Sequence, residues 1–471
     1  MTHLLRGLLL GATLAIAAPV HSQHATPAPG HAGPVAAPAA MARQTRLRTF
    51  AGVYRLAPGR DLAIGPFDEL GGQLVMLDLG TLDIRVLHER DDSTFSVGTT
   101  LMAAAPLMAT VVFHRDTKGR PASLTWRGAG GDSQTAPVVG RARTEQVEFR
   151  NGDVTLRGTL RIPDTPGAHP AVVLVHGSGP ATRDVGYFNT VYDRMGVAVL
   201  SFDKRGAGAS GGDWEVAGLN ELAGDVVAAV KLLRTRSDID AHHVGLDGSS
   251  QGGWVGVLAA KQAAVTLAPD AVAWLSVRVG SGTSVAETVL WERRGQYRRQ
   301  GLTVAQSDSA VAFARAVYAL AAAGAPWEAS DSLARTVITT GWFRRVYPDG
   351  RRRDDRSWTF WRKNVAIDAM PTLRQLAIPV NWALGRADEN VETRASAPLI
   401  AAALAASSSP DWAVHVLSAD HSFIAGDPAT PIGDVTRSRS VAGYWDALEA
   451  FTRRRLEDVK HIERLGGVGA K

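Results

Sequence analysis

The pattern of apolar and polar residues divides the chain into two regions. Between residues 46 and 145, short alternating runs are separated by Gly, Pro and Asp. Strict alternation indicates half-buried strands, and the separating residues favour turns, so we predict a small antiparallel β domain here. The predicted strands lie at residues 62–64, 73–79, 83–87, 95–97, 108–114 and 122–126.

A different pattern begins at residue 146 and defines a second predicted domain, residues 146–471. Segments 147–149 and 154–160 predict a hairpin with Asn151 and Gly152 at its turn. The continuous apolar run AVVLV at 171–175 is typical of a strand buried on both faces of a parallel sheet. Further strand-like runs alternate with helical periodicity, as at 219–234, which predicts an α/β fold with a mostly parallel sheet.

Three segments with helical periodicity, 287–300, 305–323 and 330–342, lie between the predicted strand 271–279 and Asp368. An insertion of this size should cover a pocket, so we predict a helical cap over about residues 283–367. Most of its aromatic side chains are expected in the cap core, and a minority along the pocket.

The first 45 residues predict no folded structure. Residues 1–22 combine Arg6 with an apolar run from Leu8 to Val20 that is too short to span a bilayer. This pattern predicts a signal peptide cleaved after Ser22, and therefore a secreted or periplasmic protein without stable membrane insertion. Residues 23–45, rich in Ala, Pro and His, are predicted to be a disordered leader.

Composition excludes several classes of function. A length of 471 residues predicts two or three domains. The net charge of +5 is small and the arginines are scattered, so a nucleic-acid partner is not expected. Because the chain has no cysteine, disulfides and a thiol nucleophile are excluded. The loosely spaced histidines near the N-terminus do not indicate a metal site.

Two GxSxG pentapeptides carry candidate chemistry. Residues 248–252 follow a strand-like run and precede a helix-compatible segment, the context in which a strained turn exposes a serine hydroxyl. Residues 208–212 follow no such strand and are predicted to form a loop. We therefore predict Ser250 as a nucleophile and Ser210 as a loop residue. A tight turn in a nucleotide-binding βα unit has the same local pattern as the first pentapeptide.

Three motifs in order resemble the α/β-hydrolase superfamily: HGSGP after a buried strand, DKRGAGAS after the next strand, and GSSQGG at the strand-helix turn. The resemblance covers residues 147–455 and is greatest to secreted bacterial esterases of the serine aminopeptidase and dienelactone hydrolase-like groups. Within the β domain, FAGVY at 50–54 with FHRD at 113–116 resembles lipocalin-like domains appended to some bacterial serine hydrolases. Such a domain could be a structural lid or a ligand-binding barrel.

The resemblance implies a catalytic acid after the nucleophile in the chain. Asp388 follows the strand-like run 380–384 and matches the superfamily's position. Its neighbours Glu389 and Glu392 are alternatives.

The implied histidine follows the acid, where only His415, His421 and His461 remain. His415 lies within a strand pattern and His461 in a charged tail, whereas His421 lies in a loop that can reach a serine. His421 is therefore the predicted general base.

The implied oxyanion hole consists of backbone N–H groups. The residue after the nucleophile, Gln251, should supply one donor, and the HGSGP motif the other, from Ser178 or alternatively Gly177. His176 is expected to order this loop.

These residues together predict a serine hydrolase that cleaves small carboxylic esters through an acyl-enzyme, without metal or organic cofactor. A peptidase, a C–C bond hydrolase and a catalytically inert ligand-binding protein remain alternatives. No acidic cluster that could bind a free amino terminus stands out in the predicted cap, whereas its arginines could hold a substrate carboxylate. The sequence does not indicate an oligomeric state.

Overall fold

A computed structural model describes residues 38–349, 351, 353–425 and 439–466. The predicted signal peptide, 1–22, and most of the predicted leader, 23–45, lie outside these residues. Where the leader is described, the prediction of disorder is wrong, because helix α1 spans Pro38–Arg48. Leu47 in this helix and Phe50 just after it are buried in the core of the β domain. Burial of these two side chains stabilises a helix that is too short to be stable on its own.

The β domain is a closed antiparallel barrel of eight strands, in which β1 pairs with both β2 and β8. The predicted antiparallel domain is confirmed, although the prediction missed the first and last strands. The strands are β1 (Gly52–Ala57), β2 (Arg60–Phe67), β3 (Gln73–Asp78), β4 (Ile84–Glu89), β5 (Thr94–Gly98), β6 (Leu107–Arg115), β7 (Pro121–Gly128) and β8 (Ser133–Val139).

Apolar side chains fill the barrel interior. Phe50 stacks on Phe113 with ring centroids 4.5 Å apart, and Tyr54 and Phe95 pack edge-on against Phe113. All four rings are almost completely buried. Side chains can fill the interior of an eight-stranded barrel, as this apolar cluster does here, so the interior favours a structural role over ligand capture.

The second domain is built on an eight-stranded sheet with the order β16-β15-β14-β13-β11-β12-β10-β9, in which β10 runs antiparallel to the other strands. The hairpin turn is Gly152–Asp153, one residue later than predicted, because Asn151 pairs with Val154. The first strand begins at Ala142, four residues before the predicted domain boundary of 146. The strands are β9 (Ala142–Asn151), β10 (Val154–Pro163), β11 (His169–Val175), β12 (Ala198–Phe202), β13 (Ile239–Ser249), β14 (Trp274–Arg278), β15 (Val380–Gly385) and β16 (Trp412–Leu417).

Helices flank the sheet, and α4 to α8, between residues 285 and 364, occupy the region of the predicted cap. The predicted cap helix 330–342 consists of two helices, α6 and α7. Between β11 and β12 the chain forms two 3-10 helices, Gly186–Asn189 and Val191–Met195. Within the described chain, no helix is both long and apolar enough for a membrane span. The helices are α2 (Leu219–Arg234), α3 (Gln251–Thr266), α4 (Val285–Arg299), α5 (Val304–Ala322), α6 (Trp327–Arg335), α7 (Gly341–Val346), α8 (Asp355–Asn364), α9 (Met370–Leu373), α10 (Thr393–Ala405) and α11 (Tyr444–Gly466).

The outer face of the barrel packs against one face of the sheet. Side chains alternate along a strand, so β3 directs Val75 and Leu77 out of the barrel. These residues share one buried apolar cluster with Val172 and Leu174 of β11. Separating the two domains would expose this cluster to water, which the hydrophobic effect opposes.

Polar contacts fix the barrel to the chain that follows the HGSGP loop, residues 176–180. Arg48 donates two hydrogen bonds to the buried carboxylate of Asp184, of 2.7 and 2.8 Å. The Thr182 N–H donates to Asp68 Oδ2 at 2.7 Å. The barrel therefore holds a segment that leads directly out of the predicted oxyanion loop.

We predict that Gly65→Ala destabilises the protein. A Cβ on Gly65 would lie 2.3 Å from the carbonyl oxygen of Gly186, where barrel and second domain meet. Relieving such an overlap costs about 1–3 kcal/mol, which urea unfolding can measure.

The matched control is Gly341→Ala, because nothing lies within 4 Å of the added Cβ. Its unfolding free energy should stay at or slightly above that of the parent, since alanine restricts the unfolded chain. Equal unfolding midpoints for the Gly65 variant and the parent would contradict the close interdomain packing.

Candidate active site

Ser250 lies in a sharp turn between β13 and α3. Its backbone has φ 54° and ψ −116°, a conformation that residues other than glycine rarely adopt. The flanking glycines are needed for close packing: a Cβ on Gly248 would lie 2.4 Å from the Gly252 oxygen, and one on Gly252 would lie 2.4 Å from the Val175 oxygen. Strand, turn and helix together hold the Ser250 hydroxyl at the carboxyl end of the sheet.

The structure places the three predicted catalytic side chains in one hydrogen-bonded chain. His421 Nε2 lies 3.0 Å from Ser250 Oγ, and His421 Nδ1 lies 2.9 and 2.8 Å from the two carboxylate oxygens of Asp388. The N–H groups of Asn390 and Val391 both donate to Asp388 Oδ1 at 2.8 Å. Asp388 is thereby held as a carboxylate acceptor that orients the imidazole.

The competing candidates have structural contacts. Ser210 Oγ donates to the Asp203 carbonyl at 2.6 Å and accepts from the Arg157 N–H at 2.9 Å, so this hydroxyl fixes a loop. His415 on β16 contacts the side chain of Asn381 at 3.0 Å. The side chain of His461 lies outside the described residues.

The predicted oxyanion-hole donors flank the nucleophile. A Cβ on Gly177 would lie 3.5 Å from Ser250 Cβ, so the HGSGP loop passes beside the serine. In the described chain, neither the Gln251 N–H nor the Ser178 N–H donates a loop or turn hydrogen bond, which leaves both free for a ligand. Burial lowers the pKa of His176 to about 4, so this side chain is neutral and orders the loop through the Phe202 carbonyl.

Sequence reasoning missed Lys204, which lies just behind the same loop. Its ammonium donates to the Gly177 carbonyl at 2.7 Å and to Gln251 Oε1 at 2.8 Å. The residue is only 4% exposed. The position of Lys204 in the DKRG motif, directly after β12, was the sequence signal that could have identified it. Its hydrogen-bond partners could not be predicted, because they lie 27 and 47 residues away in the chain.

Carboxylates surround the imidazole of His421. Burial lowers the pKa of His421, but Asp388, Glu389 and Glu292 more than offset this, so the pKa is raised. Glu292 of α4 is 5% exposed, and burial raises its pKa to about 7. Glu69 of the barrel is exposed, yet close enough to His421 for their charges to interact. In the described chain, no group of three or more His, Cys, Asp or Glu residues could hold a metal ion.

The sheet order, the serine turn and the cap define an α/β-hydrolase fold, as predicted. Residues 166–287 match the family model described as Serine aminopeptidase, S33. The match includes the HGSGP loop and the serine turn, and it ends before Asp388. The family resemblance inferred from the three motifs is thus confirmed.

Individual relatives are more distant. Esterase EstD of Thermotoga maritima is 30% identical over 140 residues, which cover 27% of this chain and 33% of that protein. The chain thus spans about a third of the length of this curated relative. Acetyl xylan esterase 1 from Thermoanaerobacterium has 13% identity and a TM-score of 0.37, covering 73% of this chain and 87% of its own. Est1E from Butyrivibrio proteoclasticus, with ferulic acid bound, has 15% identity and a TM-score of 0.39, covering 67% and 99%.

We predict that catalysis requires neutral His421. Its pKa lies above the usual 6.5, so below that pKa the imidazolium cannot accept the Ser250 proton. The rate of any Ser250-dependent reaction should therefore rise with pH through a midpoint above 6.5. A pH–rate profile that is flat from about pH 5 to 9 would contradict a histidine base.

Proposed function

We propose that the protein is a serine hydrolase that cleaves small carboxylic esters through an acyl-enzyme. The observation that carries the proposal is the hydrogen-bonded chain Ser250–His421–Asp388 at a strained turn of an α/β-hydrolase. The esterase named among its relatives supports the choice of substrate class. We also propose that it acts outside the cytoplasm, which rests on the signal-like pattern of residues 1–22.

In the proposed reaction, Ser250 Oγ attacks the ester carbonyl carbon while His421 Nε2 takes the hydroxyl proton. The carbonyl oxygen becomes an oxyanion that accepts hydrogen bonds from the N–H groups of Gln251 and Ser178. Asp388 stabilises the imidazolium. As the tetrahedral intermediate collapses, His421 returns the proton to the departing alkoxide, which leaves as the alcohol. Water then attacks the acyl-enzyme by the same route and releases the acid.

A second candidate, an aminopeptidase, is favoured by one observation. Glu292 of the cap is buried near His421, and no described residue forms a hydrogen bond or ion pair with its carboxylate. Glu69 and Glu389 add negative charge from the barrel and from the loop after β15. A free amino terminus bound beside Glu292 would favour its ionised carboxylate and form an ion pair with it. The sequence concealed this grouping because the three residues lie far apart in the chain.

We predict that Ser250→Ala abolishes hydrolysis of p-nitrophenyl acetate. Loss of the nucleophile in a triad lowers kcat by at least about 10⁴-fold. Ser210→Ala is the matched control, because it removes a serine from the other GxSxG pentapeptide and should retain most of the activity. Equal losses in the two variants would reject Ser250 as the nucleophile.

We also predict that the protein lacking residues 1–22 hydrolyses short-chain p-nitrophenyl esters much faster than aminoacyl p-nitroanilides. A fluorophosphonate probe should label Ser250 and no other residue. Labelling of Ser250 with anilide cleavage but no ester turnover would favour the aminopeptidase. Absence of labelling would favour an inert binding protein.

A further inference from the structure

Lys204 is a buried cation that has no acidic partner among the described residues. It follows β12, and in the described chain no carboxylate oxygen lies within 4 Å of its ammonium, whereas neighbouring Arg205 is paired with Asp225 at 2.6 Å. Its two hydrogen-bond acceptors, the Gly177 carbonyl and the Gln251 side chain, are neutral. A buried charge without a counter-ion is costly to stability, so this arrangement calls for a functional explanation.

Each of the two acceptors adjoins one donor of the proposed oxyanion hole. The Gly177 carbonyl is in the same peptide unit as the Ser178 N–H, and in a planar trans peptide these groups point in opposite directions. An ammonium 2.7 Å from that carbonyl therefore fixes the direction of the Ser178 N–H. Its second bond, 2.8 Å long, holds the side chain of Gln251, whose backbone N–H is the other donor.

We propose that Lys204 is a positioning residue that locks and polarises the oxyanion hole from behind. A charge-assisted hydrogen bond to a carbonyl strengthens the N–H of the same peptide as a donor. The opposite peptide orientation would direct the Gly177 carbonyl oxygen at the oxyanion and would repel it. The ammonium prevents this reversal and adds positive potential on the oxyanion side of the site.

The surroundings of Lys204 agree with this assignment. Burial lowers its pKa to about 7, and Asp225 opposes this effect, so the ammonium remains substantially populated near neutrality. A cavity of about 10 Å³, lined by Lys204 and Asp225 among others, lies beside it. That volume accommodates about one water molecule. Lys204 is connected to the site through its hydrogen bonds to Gly177 and Gln251.

The inference rests on the proposed ester hydrolysis, and the test uses Ser250-dependent turnover. Lys204→Met keeps most of the side-chain volume and removes the charge. The readout is the ratio of kcat/KM for p-nitrophenyl acetate to that for p-nitrophenyl thionoacetate, in which sulfur replaces the carbonyl oxygen. Sulfur accepts hydrogen bonds weakly, so this ratio reports the contribution of the oxyanion hole.

We expect Lys204→Met to lower turnover of the oxygen ester by about tenfold or more, because loss of a complete donor costs about 10²–10³-fold. The thionoester should be affected much less, so the ratio should fall. The matched control is Arg205→Met, which removes the adjacent buried cation from a structural ion pair and should leave the ratio unchanged.

An equal loss for both substrates in Lys204→Met would overturn the inference and assign Lys204 a structural role. If Lys204→Met does not fold, Gln251→Leu serves as the second variant, because it removes one acceptor of the Lys204 ammonium but retains the backbone N–H of residue 251. The ratio of the two kcat/KM values should also fall in Gln251→Leu. An unchanged ratio in that variant would overturn the inference. Absence of Ser250-dependent turnover in the parent protein would instead reject the proposed function.

Discussion

The strained backbone at Ser250 is the constraint on which the rest of the structure depends. A serine with φ 54° persists only where its surroundings fix it, and here the neighbouring strand and helix approach too closely for side chains at Gly248 and Gly252. The central strands of the sheet place the HGSGP loop on one side of this turn. The loops after β15 and β16 bring Asp388 and His421 to the other side.

The barrel is part of this framework. It covers a face of the sheet, and its apolar outer surface merges with the side chains of β11. Its contacts to Asp184 and Thr182 hold the chain directly after the HGSGP loop. A domain that is packed inside and bound in this way stabilises the geometry of the oxyanion loop, and Glu69 brings one of its charges near His421. This role explains why β2 and β3 are apolar on both faces.

The sequence predicted those structural features that depend on local residue patterns. The serine turn follows from strand, glycines and helix, and the order of the triad restricted the acid and the histidine to a few residues. The antiparallel β domain followed from alternation, but its closure into a barrel did not, and β8, with Pro137 and several exposed residues, did not resemble a strand. Helix α1 was missed because its stability comes from burial of Leu47 against the barrel. Lys204, Glu292 and Glu69 were missed because contacts between distant segments define their place near the site.

The charges around the site match the charge separation of the proposed reaction. In that reaction, proton transfer from Ser250 would create an imidazolium at His421 and an oxyanion at the substrate. Asp388, Glu389 and Glu292 favour positive charge on the imidazole, and the ammonium of Lys204 lies behind the peptide that faces the oxyanion. Fixed charges lower an activation barrier most when they are oriented before the reaction begins, because no reorganisation is then required. Lys204 and Glu292 are buried without an ion-pair partner among the described residues, and the stability that this costs is explained by a site organised around the transition state of the proposed reaction.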